Sequence, residues 1–434
     1  MKSMGKIQNT EELAVNEMRR DALAIAEAGY GSINTEKVVR GKVQVVSDEL
    51  RILDKVYKIA GRKVFYVGVG KCAISAGRAI EKVLGRTLTA GIALDVTDTN
   101  QDSSSKIETI IGTHPLPSEA NVTGSKRILE FLSGKTETDL VIFVISGGGS
   151  TLLCLPEEPM TSNDESELFE KLTEKGAPIQ DLNIVRKHIS RARGGGLISA
   201  TYPAEVVSLI FSDVPDNDIA TISSGPTVLD ASTVIDAEAI LAKYGIEAPN
   251  SIKFIETVKE PKYFERVTNL LFLSNKDALI AMQKEAEKLG YETEIAEARF
   301  AGEAREVGRT IVEKLHTSLD KTAVLYAGES TVTFDENHGE GGRNQEMALA
   351  TLEYLNEGEL IMPFASDGHD NTDHAGAIAD EITRAHAREL NLSANDYLYT
   401  HASYDFFTTT KDALLTGYTG SNVSDLIIAL KKSK

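Results

Sequence analysis

The fold of this chain is decided by the stretch VFYVGVGKCAISAGRAIEKVLG, residues 64–85. It opens with a short apolar run, turns at Gly68-Val69-Gly70, and continues with small and apolar residues at helical spacing. A buried strand, a glycine turn and a helix in that order form the first unit of a doubly wound α/β sheet. Lys71 follows the second glycine, so the sequence predicts a positive charge at the start of the helix.

The same alternation of strand and helix continues on both sides of this stretch. Apolar runs that predict buried strands lie at 90–95, 108–111, 140–145 and 206–211, with helical patterns at 11–28, 47–59, 118–133 and 165–175. Because the runs are continuous rather than alternating, we expect a sheet that is covered on both faces.

A polar region at 230–265, which the sequence predicts to be largely helical, precedes a second α/β series. In that series we expect strands at 270–274, 291–298, 323–329, 331–334 and 360–368, and helices at 276–289, 302–316 and 344–356. The prediction is therefore α/β throughout in two lobes: a larger, doubly wound, Rossmann-like N-terminal domain over 1–255 and a C-terminal α/β domain over 265–434.

Composition excludes several classes of partner. The chain has 46 basic and 65 acidic residues, a net charge of −19, which disfavours nucleic acid and anionic lipid as partners. Cys72 and Cys154 are too few for a disulfide framework and favour a reducing compartment. No apolar run approaches the roughly 20 residues that a spanning helix needs. We expect a cytoplasmic protein, and a homodimer remains open.

Two glycine-rich loops follow predicted strands of the first lobe. Ser146-Gly147-Gly148-Gly149-Ser150 comes directly after the most hydrophobic strand and could form a nest of N–H groups for a phosphate. Lys71 in the Gly-Val-Gly-Lys loop would add a point charge to such a site. The alternatives are a flexible loop and a tight turn with a solvated lysine.

Two further segments of the first lobe carry charge. Residues 186–196 concentrate cationic side chains next to a glycine run, so Arg193, Gly194 and Gly195 are candidate phosphate ligands. The alternative is a solvated helix face. Asp213 lies just past a predicted strand and could hold a divalent cation or act as a base.

The second lobe carries a split motif. Arg343 follows two glycines at a predicted helix start and could clamp an anion. Asp367 follows a predicted strand and offers a carboxylate to a metal. Helix capping by Asn344 and turn formation at Asp370 are the structural alternatives.

Taken in order, these strings resemble the glycerate 2-kinase family, whose C-terminal part is called the MOFRL domain. The resemblance rests on GVGKCAISAGRAIE (68–81), GTHPLPSEANVTGSKRILEFL (112–132), SGGGSTLL (146–153), LNIVRKHISRARGGGL (182–197), FSDVPDNDIATISSGPT (211–227), GGRNQEMALA (341–350) and SDGHDNTDHAGAIAD (366–380). It implies ATP and D-glycerate as substrates, 2-phosphoglycerate as product, Mg²⁺ or another divalent cation, and an active site in a cleft between the domains. Asn422-Val423-Ser424-Asp425 only loosely resembles a family ending.

The resemblance carries the family's functional lysine and arginine to Lys71 and Arg343. Our hypothesis assigns the ATP phosphates to Ser146–Ser150 and 193–195, and the metal to Asp213 or Asp367, with Asp213 a further catalytic candidate.

Two rival functions remain open at this stage. The first is an NAD(P)H-dependent hydroxypyruvate reductase, a name that some relatives carry. Asp95 lies 25 residues after Gly70, near the spacing of an acidic residue that binds a ribose, but the third glycine of a dinucleotide fingerprint is misplaced. The second rival is a non-catalytic regulator that binds a sugar or a phosphate.

Overall fold

The computed structural model describes residues 5–97, 104–212, 218–247, 251–333 and 338–432. The strands are β1 (Val43–Val46), β2 (Glu49–Ile52), β3 (Lys55–Lys58), β4 (Val64–Val69), β5 (Leu88–Asp95), β6 (Ile107–Ile111), β7 (Leu140–Ile145), β8 (Glu205–Phe211), β9 (Val267–Leu273), β10 (Glu292–Glu303), β11 (Thr322–Thr331), β12 (Glu359–Ala365), β13 (Gly376–Ala377), β14 (Ala413–Leu414) and β15 (Asp425–Lys431). The helices are α1 (Thr10–Leu13), α2 (Glu17–Ser32), α3 (Thr35–Lys42), α4 (Ala73–Leu84), α5 (Glu119–Leu132), α6 (Gly149–Leu152), α7 (Ser162–Glu174), α8 (Ile179–Lys187), α9 (Gly196–Thr201), α10 (Val234–Lys243), α11 (Asn275–Lys288), α12 (Ala304–Thr317), α13 (Arg343–Thr351), α14 (Glu381–Glu389), α15 (Ala394–Tyr399) and α16 (Ser403–Thr410). Short 3-10 turns lie at Gly85–Thr87, Ile222–Ser224 and Pro261–Tyr263.

The described residues pack into two compact units. The parallel-sheet unit comprises 35–212 and 218–273, and the mixed-sheet unit comprises 5–34 and 274–432. Helices α1 and α2 thus pack with the C-terminal half of the chain, so packing does not follow chain order. None of the helices in the described ranges is long and apolar enough to cross a membrane.

The parallel-sheet unit confirms the doubly wound α/β fold. Its described strands form a six-stranded sheet in the order β6-β5-β4-β7-β8-β9, with every neighbouring pair parallel. The chain winds outward from β4 in one direction and from β7 in the other, so the topological switch point lies between β4 and β7. Every residue of β7 is buried, as its uninterrupted apolar sequence predicts.

The helix predicted over 47–59 is wrong. Residues 43–58 form instead an antiparallel three-stranded sheet, β1-β2-β3. Buried Leu50 and Ile52 alternate with exposed Arg51, which is the period of a strand rather than of a helix. Ser47 and Leu53 adopt positive φ in the two turns, a conformation that ends a helix.

The prediction of a largely helical segment over 230–265 holds only in part. Helix α10 and a single 3-10 turn lie there, whereas residues 252–260 form no regular element. The turn begins at Pro261, and a proline disfavours helical geometry in the residue before it. This stretch therefore contributes less helix than its composition suggests.

The mixed-sheet unit has a sheet in the order β10-β11-β15-β12-β13-β14, counted over the described residues. Strand β15 runs antiparallel to both β11 and β12 and lies between them. Its first residue therefore reaches the same sheet edge as the last residues of its neighbours. The sequence analysis missed β15. Its predicted strand 323–329 lies in β11, whereas residues 332–333 of its predicted strand 331–334 form no strand and residue 334 lies outside the described residues.

Candidate active site

The loops after β4 and β7 meet at the switch point of the parallel sheet. The Lys71 N–H donates to the Gly147 carbonyl at 2.9 Å, and the Ser146 N–H donates to the Val69 carbonyl at 2.9 Å. Gly70 has φ of +116°, and a Cβ there would overlap Ser146, so only glycine allows this approach. The structure thus brings Lys71 and the Ser146–Ser150 loop together.

The Ser146–Ser150 loop presents backbone donors. Gly148 adopts a left-handed conformation, with φ of +83°, and caps α6. Among the described residues, the N–H groups of Gly147, Gly148 and Ser150 have no hydrogen-bond acceptor. Lys71 and exposed His114 flank Gly148, since a Cβ at Gly148 would lie 3.2 Å from the Lys71 Cγ and 3.4 Å from the His114 Cδ2. This loop can receive an anion.

A chain of hydroxyl groups supports the loop from behind. The Ser224 Oγ lies 2.9 Å from the Ser150 Oγ and 2.9 Å from the Asn183 Oδ1. Ser224 is the donor to both of these oxygens, and its single hydroxyl proton lies between them. Ser224 therefore ties Ser150 to Asn183 and fixes the back of the loop.

Arg193, Gly194 and Gly195 have partners within the protein. The Arg193 guanidinium is buried, pairs with Glu165 at 2.6 Å, and donates to the Arg186 carbonyl. The Gly194 and Gly195 N–H groups donate to the carbonyls of Ser224 and Gly225 at 3.0 and 2.9 Å. These contacts fix the segment that holds Ser150, and they occupy the donors that the sequence analysis assigned to phosphate.

Asp95 ends β5 beside the lysine loop. Its buried carboxylate accepts hydrogen bonds from the Ile74 N–H at 3.0 Å and from the Val96 N–H at 2.7 Å. Ile74 lies in the first turn of α4, so Asp95 caps that helix. The carboxylate is engaged by backbone and does not face outward as a ribose ligand would.

In the mixed-sheet unit, Arg343 begins α13 at the sheet edge where β11 and β12 end and β15 starts. Its Nε and Nη2 atoms donate to the two oxygens of Asp425 at 2.5 and 3.2 Å. Its Nη1 atom lies 2.5 Å from a carboxylate oxygen of Glu329. Burial would lower the pKa of Arg343, but the carboxylates of Asp425 and Glu329 outweigh it and raise that pKa. The guanidinium is thus held charged and oriented.

Asp370 caps α13 from the following loop. Its carboxylate accepts hydrogen bonds from the backbone N–H groups of Asn344 at 3.1 Å and Gln345 at 2.8 Å. Burial and the nearby Asp425 raise the pKa of Asp370 to about 6. Burial also raises the pKa of Asp425 to about 6, with Arg343 opposing the rise. The helix N-terminus thus carries an acid pair that titrates near neutrality.

Of the two residues predicted to bind a metal, Asp213 and Asp367, the structure describes only Asp367. Asp367 follows β12 and is partly exposed, and its Oδ1 accepts a hydrogen bond from the His369 N–H at 3.1 Å. Asp213 lies outside the described residues. Within the described part of the chain, no three His, Cys, Asp or Glu residues form a group that could hold a metal.

A separate cavity of about 680 Å³ lies in the parallel-sheet unit. Its lining combines apolar Val122, Leu155 and Met160 with charged Lys126 and Arg191. None of the sequence-predicted site residues lines it, so it is distinct from the lysine and glycine loops.

The fold and these loops define a class: an α/β protein of two units, with a pair of glycine-rich loops that present backbone donors at the switch point of its parallel sheet. A family model described as a domain of unknown function (DUF4147) matches residues 21–255, and the MOFRL family model matches residues 322–425. The chain is 34% identical to a glycerate 2-kinase of Pyrococcus horikoshii over 96% of this chain and 98% of that protein. It is 33% identical to a D-glycerate 2-kinase of Thermotoga maritima over 91% and 97%.

The fold is shared as well. A crystal structure of glycerate kinase from Thermotoga maritima superposes with a TM-score of 0.82 at 30% identity, covering 95% of this chain and 99% of that one. The chain belongs to the glycerate 2-kinase family, with a MOFRL domain in its C-terminal half.

Sequence reasoning missed Asp425 and Glu329 as partners of Arg343. The signal for Asp425 was present, since Asn422-Val423-Ser424-Asp425 resembles a family ending. Glu329 lies within an apolar strand and gave no separate signal. Asp370 was considered as a turn former or, with Asp367 in the Ser-Asp-Gly-x-Asp string, as a carboxylate for a metal, whereas it caps the helix that Arg343 begins.

Proposed function

We propose that this chain transfers the γ-phosphoryl group of ATP to the 2-hydroxyl of D-glycerate and releases 2-phosphoglycerate and ADP. The observation that carries the proposal is the junction of Lys71 with the Ser146–Ser150 loop at the switch point, in a chain of the glycerate 2-kinase family. Ligands of open α/β sheets bind at switch points, where strand ends leave a crevice.

The Ser146–Ser150 loop is the proposed cradle for the ATP phosphates. The available N–H groups of Gly147, Gly148 and Ser150 suit phosphate oxygens, because adjacent backbone donors form a concave anion site. Lys71 would neutralise the charge that develops on the transferring phosphoryl group. Phosphoryl transfer depends on such positioning and charge neutralisation rather than on covalent chemistry with the protein.

Arg343 is the proposed anion clamp of the mixed-sheet unit. It would hold either the carboxylate of glycerate or the transferring group, because a guanidinium matches the planar oxygens of both. Asp425 keeps the guanidinium charged and in one orientation.

Asp367 is the proposed carboxylate ligand of Mg²⁺. Mg²⁺ commonly takes one or two protein carboxylates together with phosphate oxygens and water, so a single carboxylate at a strand end fits such an ion. When bound, the ion would supply further neutralisation of phosphate charge. Asp213 remains a proposed second ligand and a catalytic candidate.

For Arg193, Gly194 and Gly195 we propose support of the cradle in place of the direct phosphate contact predicted from sequence. The Gly194 and Gly195 N–H groups hold the 223–227 segment, Ser224 in turn holds Ser150, and Arg193 anchors the glycines through Glu165 and the Arg186 carbonyl. Loss of these contacts would move the cradle rather than remove a ligand.

The reductase alternative receives no support from Asp95. An NADH-binding Rossmann domain uses an acidic side chain that is free to bind the ribose, whereas Asp95 caps α4. Both cysteines are buried thiols, which supports the cytoplasmic location expected from composition.

The deciding experiment is an assay with ATP, D-glycerate and Mg²⁺, in which the product passes directly to enolase without a mutase. Phosphoenolpyruvate is the expected outcome, because enolase accepts only the 2-phosphate. ADP without phosphoenolpyruvate would leave a kinase but overturn the 2-hydroxyl assignment. Absence of ADP, with NADH oxidised by hydroxypyruvate, would replace the proposal by the reductase.

A further inference from the structure

The guanidinium of Arg343 contacts two carboxylates, Asp425 and Glu329, and the two contacts differ. Asp425 accepts from Nε and Nη2, while Glu329 contacts Nη1 alone. A guanidinium has five N–H donors, so among the described residues these three contacts leave one donor on each of Nη1 and Nη2. Nη1 and Nη2 share one edge of the guanidinium, so a carboxylate or phosphate that displaced Glu329 from Nη1 would bind both atoms in a bidentate manner.

We propose that Asp425 is the positioning residue of Arg343, and that Glu329 is an exchangeable stand-in for the carboxylate of the hydroxy-acid substrate. The inference rests on the proposed function, since it assumes that the substrate carboxylate binds Arg343. It goes beyond that function in naming which carboxylate is fixed and which one the substrate displaces.

Asp425 is fixed by its place in the fold. Only 2% of its side chain is exposed, and its backbone pairs with Gly328 on one side and Ala365 on the other. Both neighbouring strands hold its backbone, and its buried carboxylate accepts two hydrogen bonds from Arg343. Removal of one partner of a buried ion pair leaves the other charge uncompensated.

The Glu329 side chain is less firmly held than that of Asp425. Its side chain is 47% exposed and makes a single ion contact with Arg343. Exposed ion pairs of this kind contribute little to stability, so an incoming carboxylate can replace Glu329 with little loss. While Glu329 stays, its negative charge repels an anionic substrate from the same edge.

The test compares steady-state kinetics of Glu329→Gln, Asp425→Asn and Arg343→Ala with ATP saturating and D-glycerate varied. Glu329→Gln is expected to lower the KM for D-glycerate about threefold to tenfold, because the competing charge is gone. Asp425→Asn is expected to lower kcat at least a hundredfold. The matched control is Glu353→Gln, an exposed residue beyond α13, for which neither constant should change.

A double-mutant cycle separates positioning from general damage. If Asp425 acts through Arg343, the variant lacking both side chains should be no slower than Arg343→Ala alone. Additive losses would overturn the positioning role, and an unchanged or raised KM in Glu329→Gln would overturn the exchange. If Asp425→Asn does not fold, Asp425→Glu takes its place in the cycle: a kcat lowered at least tenfold, with a double variant no slower than Arg343→Ala, supports the positioning role, and an unchanged kcat overturns it.

Failure of the underlying function would look different. If Arg343→Ala keeps near-normal turnover, the assignment of Arg343 in the proposed function fails. If Arg343→Ala is inactive while Asp425→Asn and Glu329→Gln behave as the unaltered protein, only the present inference fails.

Discussion

At the residue scale, the structure separates charges that face a ligand site from charges that hold the protein together. Lys71 is partly exposed beside the available donors of the Ser146–Ser150 loop. Arg193 has the same charge and also lies in a glycine-rich motif, yet it is buried against Glu165. Sequence context could not distinguish the two, because it gives no information on where the ion-pair partner lies.

The first residue-scale prediction concerns Lys71→Ala. We expect kcat to fall about 10²–10³-fold, the range for removal of one preorganised electrostatic stabiliser. The melting temperature should change little, because the backbone of Lys71 makes the contact with Gly147. The control is Lys82→Ala, whose exposed side chain lies on α4 and pairs with Glu36. Equal activity of the two variants would remove Lys71 from the mechanism.

At the element scale, the junction of the two loops depends on one glycine. A Cβ at Gly70 would overlap Ser146, whereas a Cβ at Gly61, which also has positive φ, meets nothing within 4 Å. A side chain would therefore strain the backbone at both positions, but it would overlap a neighbouring loop only at Gly70. Comparing alanine substitutions at the two glycines therefore measures the effect of close loop packing alone.

We accordingly predict that Gly70→Ala lowers the free energy of unfolding by about 2–5 kcal/mol and abolishes turnover, since the lysine loop must move away from Ser146. Gly61→Ala should cost about 1 kcal/mol and leave turnover intact. Urea denaturation followed by circular dichroism measures both. If the two variants are equally stable, close approach of the loops is not the reason for glycine at position 70.

The carboxyl groups of Asp370 and Asp425 at the N-terminus of α13 should make the stability of the protein depend on pH. The pKa of buried Asp370 is raised to about 6 from the ordinary 3.8, so the folded protein binds more protons than the unfolded chain between these values. Stability contributed by this group is therefore present at low pH and is lost as pH rises through about 6. Asp425 adds a change of the same sign.

The measurement is the difference in melting temperature between Asp370→Asn and the unaltered protein from pH 4.5 to 7.5. The asparagine can still cap the helix but does not ionise, so the variant should gain relative stability as pH rises. A difference that is constant with pH would contradict the raised pKa.

At the scale of the whole molecule, the N-terminal helices belong to the mixed-sheet unit. Arg19 on α2 is buried and donates to Asp380 at 2.6 and 2.8 Å and to Asp412 at 2.7 Å. Tyr30 on the same helix donates to the Ala365 carbonyl, at the strand end that precedes Asp367. The candidate site of this unit therefore depends on residues more than 300 positions away in sequence.

We predict that Arg19→Ala lowers the stability of the mixed-sheet unit by about 3–5 kcal/mol, because two buried carboxylates lose their counter-charge. The control is Arg20→Ala. The Arg20 side chain is exposed, and in the described structure it contacts only the Ala14 carbonyl. Thermal unfolding monitored by hydrogen exchange in 359–365 reports on this unit. Similar protection in the two variants would show that the Arg19 network contributes little.

The sequence by itself determined the α/β class, the order of strands and helices around residues 64–85, the family and the loops that carry Lys71 and Arg343. These features are local, since glycine turns and apolar periodicity act over a few residues. Tertiary structure alone decided that α2 packs with the C-terminal half and that β15 lies between β11 and β12. It also assigned Asp425 to Arg343 and Glu165 to Arg193. Ion-pair partners and strand order are set by contacts between distant segments, and no local pattern records them.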